Sequence, residues 1–259
     1  MSKETKNSTS DEEEVLEETT LLSHLIELRN RLLKIAAAIV LIFIVLLPAS
    51  RKIFELVSEP LREVLPGNAM IATAVASPLL TPVKLTFFIA LFIAMPIVLY
   101  QVWAFISPGL YSKEKHFGIP LLASSIILFY LGITFAYFIV FPLVFTFFTM
   151  VAPEGVEVQT DISLFLDFIT TIVFSFGIAF EVPIATVLIV WAGLTTPEKL
   201  GKVRPYVFLG AFILAMMLTP PDIISQTLLA IPIYILYELG ILMAKIFSIK
   251  KEETVKLED

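Results

Sequence analysis

Glu181 lies within FSFGIAFEVPIATVLIVW, residues 174–191, an apolar run long enough to cross a bilayer. A charged side chain near mid-membrane costs at least ~2.5 kcal/mol on insertion scales, so a chain that keeps one there generally uses it. Three roles are open to it: a protonated acid hydrogen-bonded between helices, an ion or proton relay, or a polar docking point for a partner's transmembrane helix. Pro183, two residues on, loosens the local helix and can bare backbone carbonyls beside the carboxyl.

Two further carboxylates fall just outside apolar runs. In SHLIELRNR (23–31), Ser23 reads as a helix N-cap, and Glu27 stands four residues before Arg31, the spacing of a surface ion pair. That pairing is one account of Glu27; the other is an acceptor for a cationic ligand at the membrane rim. Glu114, in LYSKEKH (110–116), is flanked by Lys113 and Lys115 and reads as a solvated loop charge, but a second rim acid beside Glu27 could hold a guanidinium bidentately. Gln226, one turn into the last apolar run, is a weaker polar intrusion that interhelical packing also explains. Asp222, in TPPDIIS (219–225), reads as the N-cap of that run with Ser225 at N3. Asp167 and Glu238 sit near opposite span ends, where snorkelling or interfacial solvation satisfies them.

Enzyme chemistry finds little to work with. The chain has two histidines, His24 and His116, and no cysteine, so disulfides, thiolate nucleophiles and Cys-ligated metals are excluded. The zinc-protease, nucleophile-elbow, phosphate-loop and dinucleotide-turn motifs are all absent, and no intramembrane Asp or Ser/His pair stands out. A non-enzymatic function with no cofactor and no metal is expected.

The elements that hold these residues follow from composition. Hydrophobic residues make up 58% of the chain and charged residues 16%, well below the ~25% usual for a soluble domain. The charges cluster between apolar runs, which marks a polytopic, all-α membrane protein. Six spans are expected, at about 32–47, 82–106, 119–141 with an extension toward Met150, 165–191, 205–218 and 223–244. The domain reading is an acidic, disordered tail at 1–20, a membrane domain at 21–247 and a charged tail at 248–259. The first span follows an acidic stretch and no basic n-region, so it is expected to stay in the mature protein. The net charge of -6 comes largely from the two ends, leaving no basic surface for nucleic acid. No internal repeat argues for an inverted-repeat transporter.

Lys and Arg set the orientation. Arg29, Arg31 and Lys34, then Lys113 and Lys115, then Lys199, Lys202 and Arg204, then Lys245, Lys250 and Lys251 fall on one side, so both termini are expected in the cytoplasm. The loop at 153–163 carries acids and neither Lys nor Arg, in agreement. Arg51, Lys52 and Arg62 in the longest outer loop run against the rule and are outvoted. Trp103, Tyr111, Trp191 and Tyr206 fall where interfacial anchors sit. The apolar part of the fifth span, about fourteen residues, reaches only about 21 Å, short of the hydrocarbon thickness. In the first outer loop Ile53, Phe54, Leu56 and Val57 share a helical face, predicting an interfacial helix ended by Pro60 and followed by a structured cap.

SHLIELRNR (23–31), SPLLTPVKL (77–85), YQVWAFISPGLY (100–111), FEVP (180–183), RPY (204–206) and LTPPD (218–222) together resemble the TatC family, receptor subunits of the twin-arginine protein translocase. The resemblance covers about 21–247 and does not reach the acidic stretch before Leu21. It implies a six-helix, glove-shaped, concave protein of the cytoplasmic membrane with short fifth and sixth helices and a periplasmic cap. It further implies binding of twin-arginine signal peptides on folded cargo, assembly with TatA- and TatB-type single-span partners and with further copies in a larger complex, and use of the proton-motive force. Position by position, it places Glu27, Phe105 and Glu114 in the signal-peptide patch and Glu181 as the membrane-embedded polar contact. Met216, Thr219 and Gln226 fall where partner helices dock, and Pro60 and Asp222 at structural or assembly positions. A second function, a proton-coupled small-solute carrier using Glu181, stays open, but it leaves the rim acids idle and lacks a second buried ionisable group to continue a proton path.

Overall fold

A computed structural model gives the backbone over residues 4–64, 70–106, 118–151, 159–218 and 223–258. Side chains are described over 23–59, 70–105, 118–148, 150–151, 159–218, 223–224 and 226–247. All regular elements among these residues are helical: α1 (Glu4–Leu46), α2 (Ser50–Val64), α3 (Ser77–Ile106), α4 (Gly118–Phe135), α5 (Phe141–Val151), α6 (Ile162–Ala179), α7 (Val182–Trp191), α8 (Pro197–Leu218) and α9 (Ile223–Glu258). Six helical segments are long and apolar enough to cross a membrane: Ser23–Glu59, Ser77–Phe105, Gly118–Phe148, Ile162–Trp191, Pro197–Leu218 and Gln226–Phe247.

Prolines shape these rods. Pro48 opens the 3-10 turn Leu47–Ala49, which diverts the chain from α1 into the amphipathic α2. Ile53, Phe54 and Val57 of α2 pack on the core, and the Tyr137 hydroxyl donates to the Val57 carbonyl at 3.1 Å. Leu56 was expected on the same face but is 72% exposed. α2 also passes through Pro60 to Val64 instead of ending there. The carbonyl that Pro60 leaves without a helical donor belongs to Leu56, on the outward side, where interfacial water can serve it. α4 and α5 are joined by a wide π turn, Ala136–Val140, immediately before Pro142, so the loosened register accommodates a residue with no N–H to give. Pro183 similarly divides the fourth span: the Glu181 N–H turns back to the Ile178 carbonyl at 3.0 Å, and α7 begins at Val182. α7 closes on Gly193, whose φ of +73° favours glycine, and Thr196 then caps the start of α8 through a 3.4 Å bond from the Lys199 N–H. The apolar part of α8 is the brief run read from sequence; the helix adds two polar turns from Pro197.

Phenylalanine dominates the core between α3, α4, α6 and α9, with Phe129 and Phe176 almost wholly buried. Two glycines permit close helix contact around Glu181. A Cβ on Gly132 would stand 2.6 Å from the Phe176 carbonyl oxygen, and one on Gly240 would stand 2.2 Å from Thr186 Oγ1 and 3.0 Å from Pro183 Cα. Small residues at such crossings let backbones approach in a bilayer, where apolar burial against lipid gives little drive. α1 packs chiefly against α3 and leaves Leu41 and Val45 exposed to the bilayer. Trp103, expected as an interfacial anchor, is instead buried with Leu121, Ile184, Val187 and Ala244, whereas Tyr206 is exposed.

Asp161 ties the start of α6 to the segment that leads into α3, and Ser163 joins the two helices directly. Asp161 caps α6 by accepting from the N–H groups of Ser163 at 2.8 Å and Leu164 at 3.2 Å. Its other oxygen accepts from Thr73 Oγ1 at 2.7 Å and from the Thr73 N–H at 2.8 Å. Ile71 pairs alongside, and the Ser163 hydroxyl donates to Ser77 at 2.7 Å. The hydrogen bonds from Thr73, seconded by those from Ser163 and Leu164, hold the Asp161 carboxyl at a pKa of about 2, below the ordinary aspartate value. A depressed acid stabilises the fold above its unfolded pKa and loses that contribution as pH falls through the folded one. Asp161→Ala is therefore expected to lower the apparent Tm in detergent at neutral pH by about 2–4 °C, as loss of a helix cap does in a chain of this size. Between pH ~4 and ~2 the difference from the parent is expected to shrink; a gap that widened on acidification would contradict this role.

Candidate functional site

The first candidate site lies where the start of the first span meets the C-terminal end of α3. Glu27 and Arg31, one turn apart on α1, form the expected ion pair, with Arg31 Nη2 at 2.5 Å and Nε at 3.0 Å from Glu27 Oε1. The arginine does more than the helical spacing predicts. Its Nη1 donates to Gln101 Oε1 at 3.2 Å, and its Nη2 donates also to the Ala104 carbonyl at 2.8 Å, so it crosses from α1 to α3. Ala104 precedes Phe105, which is partly exposed beside this junction. The Glu27 side chain keeps 34% of its surface open, and among the described residues no hydrogen bond reaches its Oε2. Glu114, the second rim acid, lies outside the described residues.

The second site is inside the membrane domain. The Ser125 hydroxyl, buried on α4, donates to Glu181 Oε2 at 2.5 Å. Glu181 Oε1 is buried and has no hydrogen-bond partner among the described residues. Glu181 thus sits at the break between α6 and α7 with one oxygen satisfied and one unspent. Ser125 escaped the sequence reading; the signal available was a hydroxyl within the apolar run 119–141.

The remaining candidates are placed unevenly. Met216 near the end of α8 is 52% exposed, and Gln226 lies in the first turn of α9, so both fall at one end of that helical hairpin. Thr219 and Asp222, between them in sequence, lie outside the described residues, as does the side chain of Pro60. Asp167 and Glu238 do not rely on snorkelling alone: Asp167 pairs with Lys84 of α3, and Glu238 accepts from Arg204 at 2.7 Å and from Tyr234 at 2.9 Å.

Six apolar helices, a half-exposed acid near the start of the first and an acid buried at a helix break define a polytopic membrane protein. The chain matches the family model for the Sec-independent protein translocase protein TatC over residues 23–232 and belongs to that family. It is 54% identical to the TatC protein of Escherichia coli K12 over 228 residues, 88% of each chain. It is 52% identical to that of Haemophilus influenzae over 239 residues, 92% of this chain and 93% of the relative. Two crystal structures of the twin arginine translocase receptor TatC superpose on it with TM-scores of 0.77 and 0.79, at 36% and 37% identity. They cover 86% and 85% of this chain and 98% and 99% of theirs. The protein is thus a multi-pass component of the Tat translocase in the bacterial inner membrane, within a transport family that is not enzymatic. A small-solute carrier is not favoured.

Proposed function

We propose that this chain is the receptor of the translocase, binding twin-arginine signal peptides of folded proteins at a cytoplasmic rim made by Glu27, Phe105 and Glu114. The observation that carries the reading is Glu27, held near the start of the first span with one carboxylate oxygen to which no described residue donates. Carboxylate oxygens take guanidinium N–H groups in a geometry that an ammonium cannot match. Both termini, with the segments 1–20 and 248–259, lie in the cytoplasm in this reading, and 21–247 forms the membrane domain. The solved neighbours' description as translocase receptors supports it. Once loaded, the receptor recruits TatA- and TatB-type helices, with Met216, Thr219 and Gln226 as the docking end of α8 and α9, Pro60 and Asp222 as structural or assembly positions on the same outer side, and the proton-motive force driving transport. Its part is non-catalytic.

The test is photocrosslinking of an Arg-Arg signal peptide to the membrane-embedded protein, with a Lys-Lys peptide as control. Adducts are expected in inside-out vesicles, near 27, 105 and 114, and weakly or not at all with Lys-Lys. Equal labelling by both peptides, or labelling only from the outer side of right-side-out vesicles, would refute the reading or its orientation respectively.

A further inference from the structure

We propose that Arg31 is a positioning residue for signal-peptide recognition: by tying Glu27 to α3 it aims the second Glu27 oxygen, Oε2, at the incoming arginine. The proposal rests on the receptor reading above. An arginine one turn from a site for arginines is, on charge alone, a liability, because it competes for the same carboxylate and repels the ligand. The hydrogen bonds limit the competition, since they confine Arg31 to one oxygen of Glu27. Arg31 gives one N–H from Nε, one from Nη1 and two from Nη2, four of the five that a guanidinium owns. Two of them end on α3, at Gln101 Oε1 and the Ala104 carbonyl, so the group is anchored on both helices.

The pattern on Glu27 is equally uneven. Both donations from Arg31 fall on Oε1, whose two lone pairs are then used, while among the described residues none donates to Oε2. Oε2 can thus receive two N–H groups from a second guanidinium, the same fork that Oε1 receives from the first. A glutamate with three rotatable bonds would otherwise sample many orientations, and fixing one oxygen fixes the other. Because the strut ends at Ala104, it also holds Glu27 in register with Phe105, so the two peptide-binding elements move as one. Lysine cannot replace this arginine, since a single ammonium cannot reach Glu27, Gln101 and Ala104 together.

The experiment measures binding of fluorescent Arg-Arg and Lys-Lys signal peptides to nanodisc-embedded protein for the parent, Arg31→Lys, Gln101→Met and Glu27→Gln. Arg31→Lys is expected to weaken Arg-Arg binding roughly three- to tenfold and Lys-Lys binding less than about twofold, so the preference for arginine shrinks. Gln101→Met, which removes one anchor and keeps the ion pair, is expected to shrink the preference in the same direction by a smaller factor. A residue that merely stapled α1 to α3 would lower both affinities together, so an unchanged Arg-Arg to Lys-Lys ratio in either folded variant overturns the proposal. If Arg31→Lys does not fold, the Gln101→Met ratio decides. Loss of binding in Glu27→Gln with an unchanged ratio in the other two sinks the Arg31 assignment alone, whereas full Arg-Arg binding by Glu27→Gln sinks the receptor reading beneath it.

Discussion

Glu27→Gln and Glu114→Gln are each expected to weaken Arg-Arg signal-peptide binding roughly ten- to a hundredfold at low salt, the effect of losing one charge-assisted hydrogen bond of about 1.5–3 kcal/mol. Exposure at the rim lowers this figure and added salt screens it, so the loss is expected to diminish as ionic strength rises. Folding is expected to survive, because a Gln at 27 still offers Arg31 an amide oxygen in place of Oε1, Glu27 lies outside the Phe-rich core, and Glu114 falls between apolar runs in the sequence. The double variant is expected to lose less than the product of the single losses if both acids hold one peptide as a unit, since the first substitution already frees the arginines. Equilibrium titration with labelled peptide checks all three. Wild-type binding by both singles and the double at low salt would end the proposed mechanism.

The six spans were legible because the bilayer writes a one-dimensional constraint into sequence: about 20 apolar residues per crossing, interrupted by charge. Breaks were legible where a proline causes them, as at Pro183. They were not legible where the chain absorbs the proline instead, as α2 does at Pro60 and the π turn Ala136–Val140 does ahead of Pro142. The local half of the rim site, Glu27 with Arg31, follows from helical spacing. Its other half does not: Gln101 lies 70 residues from Arg31, and no periodicity couples them. For the same reason Ser125, 56 residues from Glu181, and the pairs Lys84 with Asp167 and Arg204 with Glu238 were invisible until the helices were packed. Asp161 looked like one more acid in an outer loop because three of its four donors are backbone N–H groups, which carry no residue signature. Trp103 was misplaced because an aromatic at a span end can face lipid or a neighbouring helix, and only packing decides.

Glu181→Ala is expected to reduce export of a twin-arginine reporter roughly five- to a hundredfold, whereas Glu181→Gln is expected to keep most of it. The first figure corresponds to the ~1–3 kcal/mol lost when a buried hydrogen-bonding group is removed and its partner is left unsatisfied. In the alanine variant that partner is the Ser125 hydroxyl, almost fully buried on α4, together with, if Glu181 is a docking point, the polar group that meets its second oxygen. Glutamine has the same length and reproduces both ends: its carbonyl accepts from Ser125, and its amide meets the partner at the position of the orphan Oε1. Neither variant is expected to loosen the helix break, because Pro183 and the Glu181 backbone N–H bond to Ile178 set it, and neither depends on the side chain. Ser125→Ala provides the internal comparison. It removes only the fixed partner, so a smaller loss than that of Glu181→Ala assigns the remainder to the oxygen that points to no described group. Reporter export, normalised to the amount of each variant inserted in the membrane, reads all three. Equal and severe loss in the Gln and Ala variants would require a charge or a transferable proton at 181 in place of hydrogen-bonded docking, and normal export in both would remove Glu181 from the mechanism.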